Sequence, residues 1–259
     1  MTSDDPQMPI AEYLAQGGKL SAPENVPPRY RAELMRLMAI FVDSELAGAA
    51  GFAGLINDAP GVAQRIASAR IVLEKNENAA KILRVMADFG TDTDRYANSH
   101  PWADRLPRNA PAGTRRSYED LRMPVFNAPF DGWADAVVMN LLTGLAVGIL
   151  LHDYRSLSYL PLAETLREVE PVEQAHTDLA RDGLAALVAD GAALQPAVDY
   201  WWPRVAASFG TSGQGRDARL LAYGLRSSDN ETLRALWVQA ATEALTALNL
   251  HAPTESTAP

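Results

Sequence analysis

The chain has 259 residues, 47% of them apolar, no cysteine and a net charge of −9. That is enough apolar material for one large core, and the absence of cysteine excludes disulfides, thiolate metal sites, iron–sulfur clusters and Cys nucleophiles. The acidic balance argues against nucleic acid, which needs phosphate-neutralising Lys and Arg, and the acidic start Met1–Pro6 lacks the apolar run of a secretion signal, so a cytoplasmic location is expected.

Helical periodicity dominates in chain order. A turn at Gly17–Gly18 closes an N-terminal extension, 1–26, and Pro27–Pro28 opens a long helix to about Asn57. Ala59–Pro60–Gly61 breaks it, and a second helix runs to about Phe89. The stretch from Gly90 to Asp131 holds five prolines and reads as irregular, a length that usually marks function. Five of its arginines, Arg105, Arg108, Arg115, Arg116 and Arg122, suit a phosphate or an acidic partner, or else are solvated loop charge. A third helix is expected over Gly132–Asp153. Its segment Ala134–Leu151 is nearly long enough to cross a bilayer, but Asp135 and Asn140 inside it argue for a buried helix of a soluble bundle, with no membrane partner.

Ser158–Pro161 starts a fourth helix reaching about Ala189, and a shorter one covers Pro196–Phe209. The loop Gly210–Gly215 lacks the Lys-Ser/Thr ending of a phosphate loop. Ser228 and Glu231 are spaced as a capping box for a last helix ending near Leu250, with 251–259 as a disordered tail. Trp201, Trp202 and Trp237 read as packing residues, and His100, His152 and His251 pair with no inward acid. The expected fold class is all-α, a ferritin-like four-helix bundle (27–250) with additional C-terminal helices.

Several charges fall on apolar helix faces. In the first helix Leu34, Met38, Phe41, Glu45, Gly48 and Phe52 form one stripe. In the third, Asp135 shares a face with Val138, Leu142 and Ile149. In the fourth, Glu173 and His176 interrupt an apolar stripe at i, i+3 spacing, which sets carboxylate and imidazole side by side. Buried acids need partners, so these residues form a candidate metal-ligating set, or they satisfy one another. In the second helix Glu74 and Glu77 share a stripe with Arg70, Lys81 and Arg84, spaced for salt bridges on a solvated face. The inward pair there is Lys75 and Asn78, and the Lys75 ammonium could replace a metal among Glu45, Asp135 and Glu173.

Taken together, Ser44–Glu45, Trp133–Asp135, Ser158–Tyr159 with Pro161, Glu173–His176, Tyr200–Pro203, Phe209–Gly210 and Asn230–Arg234 resemble the phenylacetic acid catabolic (phenylacetyl-CoA monooxygenase) family, in its catalytic-subunit branch. The resemblance implies a di-iron epoxidase acting on aryl-CoA thioesters, with metal ligands at Glu45, Asp135, Glu173 and His176 and electrons from a separate reductase. It also implies a second Glu-x-x-His in helix two, where this chain has Lys75 and Asn78. Three readings follow from that departure. The first is an oxygenase-type enzyme on an aryl- or acyl-CoA thioester with a remodelled site, using one or two irons and drawing on Glu77 if needed. The second is a metal-free scaffold or partner subunit, held to a homologous subunit or to a second copy of itself. The third is metal-independent chemistry by a buried lysine.

Overall fold

A computed structural model describes residues 9–212 and 215–253. Among these residues the elements are helical, apart from one isolated bridge between Leu20 and Tyr159. In order they are α1 (Ile10–Ala15), α2 (Pro28–Leu55), α3 (Val62–Ala87), α4 (Thr93–Ala97), α5 (Gly132–Tyr154), α6 (Leu160–Ala189), α7 (Gln195–Ser208), α8 (Arg216–Ala222) and α9 (Asn230–Thr246).

Two antiparallel hairpins, α2–α3 and α5–α6, make the bundle, and α3 packs on α6 and α2 on α5 to close it. The long connection between α3 and α5 gives this pairing the connectivity of a ferritin-like four-helix bundle. Helix α2 begins where expected because Pro28 occupies its first turn, where a missing N–H costs nothing. Gly61 precedes α3, and Gly90, with φ 86°, takes the left-handed turn just beyond it.

Helix α5 is apolar on every side because it is packed on every side: α6, α7 and α9 touch it as well as α2. By length and composition both α5 and α2 could cross a membrane, but 72% of the most apolar 18-residue stretch of α5 is buried inside the fold. The polar groups on α5 are partnered. Asn140 Nδ2 donates to the His176 carbonyl, 3.2 Å, and the Trp237 indole of α9 donates to the Leu142 carbonyl, 2.9 Å.

Several expectations shift here. The cap of α9 is Asp229, whose carboxylate accepts from the Thr232 amide at 2.7 Å, so the Ser228–Glu231 box does not form. His251 exchanges two hydrogen bonds with the Gln195 side chain, which fixes the chain at the start of the expected tail. Residues 1–8 of the N-terminal extension, 213–214 of the glycine-rich loop and 254–259 of the tail lie outside the described residues.

The 90–131 connection is tied down beside the middle of α2. Asp43 accepts from the Leu121 amide (2.6 Å) and the Tyr96 hydroxyl (2.8 Å), and Ser44 Oγ accepts from the Met123 amide (3.0 Å). Its arginines mostly turn inward. Arg122 is fully buried against Asp120 at 3.0 Å, and Arg105 donates to the Ala47 carbonyl at 2.6 Å. Arg116 pairs with Asp104 and Asp120. All five of these arginines thus hold the connection or its neighbours in place, Arg115 by donating to the Arg122 carbonyl at 3.1 Å, and Arg115 also lines an open cavity.

Candidate functional site

At mid-height of the bundle, α2 supplies Glu45, α3 supplies Lys75 and Asn78, and α6 supplies Glu173 and His176, all of them buried. The Lys75 ammonium lies between the two acids. It donates to Glu45 Oε1 at 3.1 Å and to Glu173 Oε1 and Oε2 at 3.2 and 3.1 Å. Asn78 Nδ2 spans the same pair, 3.0 Å from Glu173 Oε1 and 3.4 Å from Glu45 Oε2. Gly48, one turn along α2, leaves room for the lysine stem: a Cβ there would come within 3.2 Å of Lys75 Cδ. Pro171, two residues before Glu173, interrupts the backbone hydrogen bonding of α6 next to the cluster.

Charge balance explains the protonation states. Burial opposes the ammonium, but Glu173 and Glu45 outweigh it and hold Lys75 charged beyond the ordinary lysine range. Burial also opposes ionising Glu173, yet Lys75 and the His176 ring keep its carboxyl below the usual carboxylate range. Burial and the neighbouring Glu173 charge push Glu45 the other way, up to about 8, against the pull of Lys75. One cation and one anion then cancel at neutral pH, with Glu45 a neutral acid. Two carboxylates facing one ammonium would leave a net charge in a dry interior.

His176 sits between carboxylates. Nε2 is 2.8 Å from Glu74 Oε2, and Nδ1 is 3.4 Å from Glu173 Oε1, without a hydrogen-bonded partner among the described residues. Glu74 was expected on a solvated salt-bridge ladder. It is instead 30% exposed and reaches across the α3–α6 seam to His176. The ladder does not form: no ion pair joins Arg70, Glu77, Lys81 and Arg84 among the described residues. Glu77 is exposed and stands outside the cluster.

Asp135 is a correction. It is buried, but Arg108 holds it through both oxygens, at 2.7 and 3.2 Å, and it accepts from the Asp131 amide at 3.0 Å, tying the start of α5. The part of α5 packed on Glu173–Thr177 lies further along. Asn140 bonds the His176 carbonyl, and a Cβ on Gly144 would fall 2.4 Å from Thr177 Oγ1. Helix α5 therefore presents an amide and a glycine where an inward carboxylate was expected, and the acids around Lys75 come from two neighbouring helices.

The donor set can be tested against a di-iron centre. Both oxygens of Glu45 and both of Glu173 already accept from Lys75 or Asn78, and a cation added there would adjoin an ammonium. His176 Nδ1 is the one unengaged donor of this group, and a single imidazole nitrogen is not a ligand set. Among the described residues no group of three or more His, Asp or Glu is arranged to hold a metal ion. The residues present fit a tethered ammonium and do not fit two irons.

Glu45 also borders a small cavity of about 50 Å³ lined by Phe41, Ser44, Val147 and Leu150. That cavity shares Leu37, Ile40, Met123, Leu150 and Tyr154 with a larger one of about 320 Å³, whose wall includes Arg115, Arg216 and Arg226.

No curated protein matches the sequence. Residues 18–259, nearly the whole chain, match the phenylacetic acid catabolic protein family. With that match and the all-helical bundle, the chain belongs to the phenylacetic acid catabolic protein family.

Proposed function

We propose that this chain is a metal-free, non-catalytic subunit of a cytoplasmic oxygenase complex that degrades aryl- or acyl-CoA thioesters, standing beside a catalytic homologue that takes electrons from a reductase. The observation that carries this reading is the Lys75 ammonium within 3.2 Å of Glu45 and Glu173. An ammonium supplies the positive charge these acids need, without redox chemistry. The test is elemental analysis of full-length protein produced with iron and manganese in excess. The reading expects far less than one metal per chain, and near-stoichiometric iron would sink it. A companion variant, Lys75→Glu with Asn78→His, should gain iron under the same conditions, because it returns carboxylate and imidazole to helix α3.

One observation favours a second reading, oxygenase-type chemistry at a remodelled site. The arginine-walled cavity adjoins the pocket beside Glu45, as a site for an anionic thioester would. Under that reading the protein as isolated would turn over an acyl-CoA with reductase present, and iron content and turnover would be lost together in His176→Ala.

A further inference from the structure

The outer face of α3 carries a second pattern, on the side away from Lys75. Val62, Ile66, Ala69, Leu73, Asn76 and Ala80 follow one another at spacings of four and three, and all six are exposed. Val62, Ile66 and Leu73 are 74%, 58% and 59% exposed, so the largest apolar side chains on this helix stand in water. Alternating spacings of three and four make the seam along which two helices pack as a coiled coil. An isolated exposed apolar residue needs no explanation, but a contiguous stripe marks an interaction surface.

The charges beside the stripe select its occupant. Arg70 and Glu77 flank it on one side, both exposed and without an intramolecular ion pair among the described residues. Arg65, on the other flank, is turned back to the Asn57 carbonyl at 3.3 Å. If a second copy of α3 lies antiparallel and overlaps the whole helix, Ala69 meets Ala80 of that copy and Leu73 meets Asn76. In the same register Arg70 meets Glu77 of the second copy, and the two-fold axis repeats the pair. The alanines on either side of the crossing, Ala69 and Ala80, let the backbones approach. Asn76, a polar group in the seam, penalises slipped registers. Two alternatives fail on charge. Parallel helices would face Arg65 with Arg70, and the antiparallel register that sets Ala69 on Leu73 would face Arg70 with Arg70 of the second copy.

We infer that the exposed face of α3 is the interface of a symmetric homodimer, paired antiparallel through Val62, Ile66, Ala69 and Leu73 and registered by two Arg70–Glu77 contacts. A helix of 26 residues is about 39 Å long, enough with its flanks to approach the roughly 800 Å² per partner of a stable interface. The inference does not rest on the Lys75 reading, since a metal-binding chain could carry the same face.

Sedimentation equilibrium on the full-length chain tests it. The wild type should be a dimer. Leu73→Glu should raise the dissociation constant by at least about tenfold, while helical content and melting temperature stay unchanged. Arg70→Glu and Glu77→Arg should each weaken the dimer, and the double charge swap should restore it. Because the chain has no cysteine, Ala69→Cys with Ala80→Cys should give a disulfide-linked dimer on mild oxidation, and Ala69→Cys alone should not. A wild type still monomeric at about 100 µM, where a micromolar dimer would be nearly complete, would overturn the inference. So would a dimer indifferent to Leu73→Glu, or a seam that is filled only when a homologous subunit is added.

Discussion

A single proton and a single ammonium balance the interior of this bundle. With Lys75 removed, Glu173 would face Glu45 with no cation in a dry cavity. Lys75→Ala should therefore lower the unfolding free energy by about 3–5 kcal/mol, the range for stripping one partner from a buried ion pair, as measured by urea denaturation. A loss below about 1 kcal/mol would be the cost of a surface pair and would contradict this picture. Glu45 adds a pH dependence. Its carboxyl is raised in the folded state, so the unfolded chain releases that proton first as pH rises. The stability it contributes is complete below the ordinary carboxylate value of about 4.5 and is lost as pH climbs to about 8. Glu173, held low, acts in the opposite sense, losing its contribution as pH falls below the same ordinary value. Melting temperatures between pH 5 and 8 should fall with pH in the wild type and flatten in Glu45→Gln.

Among the elements, the contact between α5 and α6 sets the geometry beside Glu173. Thr177 Oγ1 donates to the Glu173 carbonyl at 2.9 Å, and Gly144 is what lets α5 approach that hydroxyl. Gly144→Ala should destabilise the fold by about 1–3 kcal/mol through overpacking, although alanine favours helix elsewhere. Thr177→Ala in the same chain should recover part of that loss, read as a shift in the denaturation midpoint. The directions of Lys75 and Asn78 were legible in the sequence because α3 is amphipathic: Ile71, Ile82 and Val85 give its periodicity a phase. Helix α5 has no such phase. A helix packed all round is apolar all round, so Val138 and Leu142 could not say which way Asp135 turns, and its true partner, Arg108, lies in a loop without periodicity. Glu74 was hidden for another reason. A long carboxylate at the edge of a face can stay partly wet and still reach a neighbouring helix, and residue spacing alone does not separate that from a ladder along its own helix.

Over the whole molecule, the four long helices were legible because prolines and glycines punctuate them: Pro28, Gly61, Gly90 and Gly132 stand at their ends. The burial of Arg122 and the inward turn of Arg105 were not, since their partners are backbone carbonyls and an acid supplied by the folded connection and by α2. The C-terminal helices complete the core, and Trp237 links α9 to the centre of α5 with a fully buried ring. Trp237→Ala should cost about 3–5 kcal/mol, the range for emptying an aromatic site, and should expose α5 enough to raise binding of a hydrophobic dye.

The lysine at the centre of the bundle has one more consequence. A cation joined to the chain by covalent bonds is supplied at translation, in fixed stoichiometry, and no chelator can extract it. Refolding from denaturant should proceed equally well with or without EDTA, and cells starved of iron would accumulate this chain as readily as cells that are not.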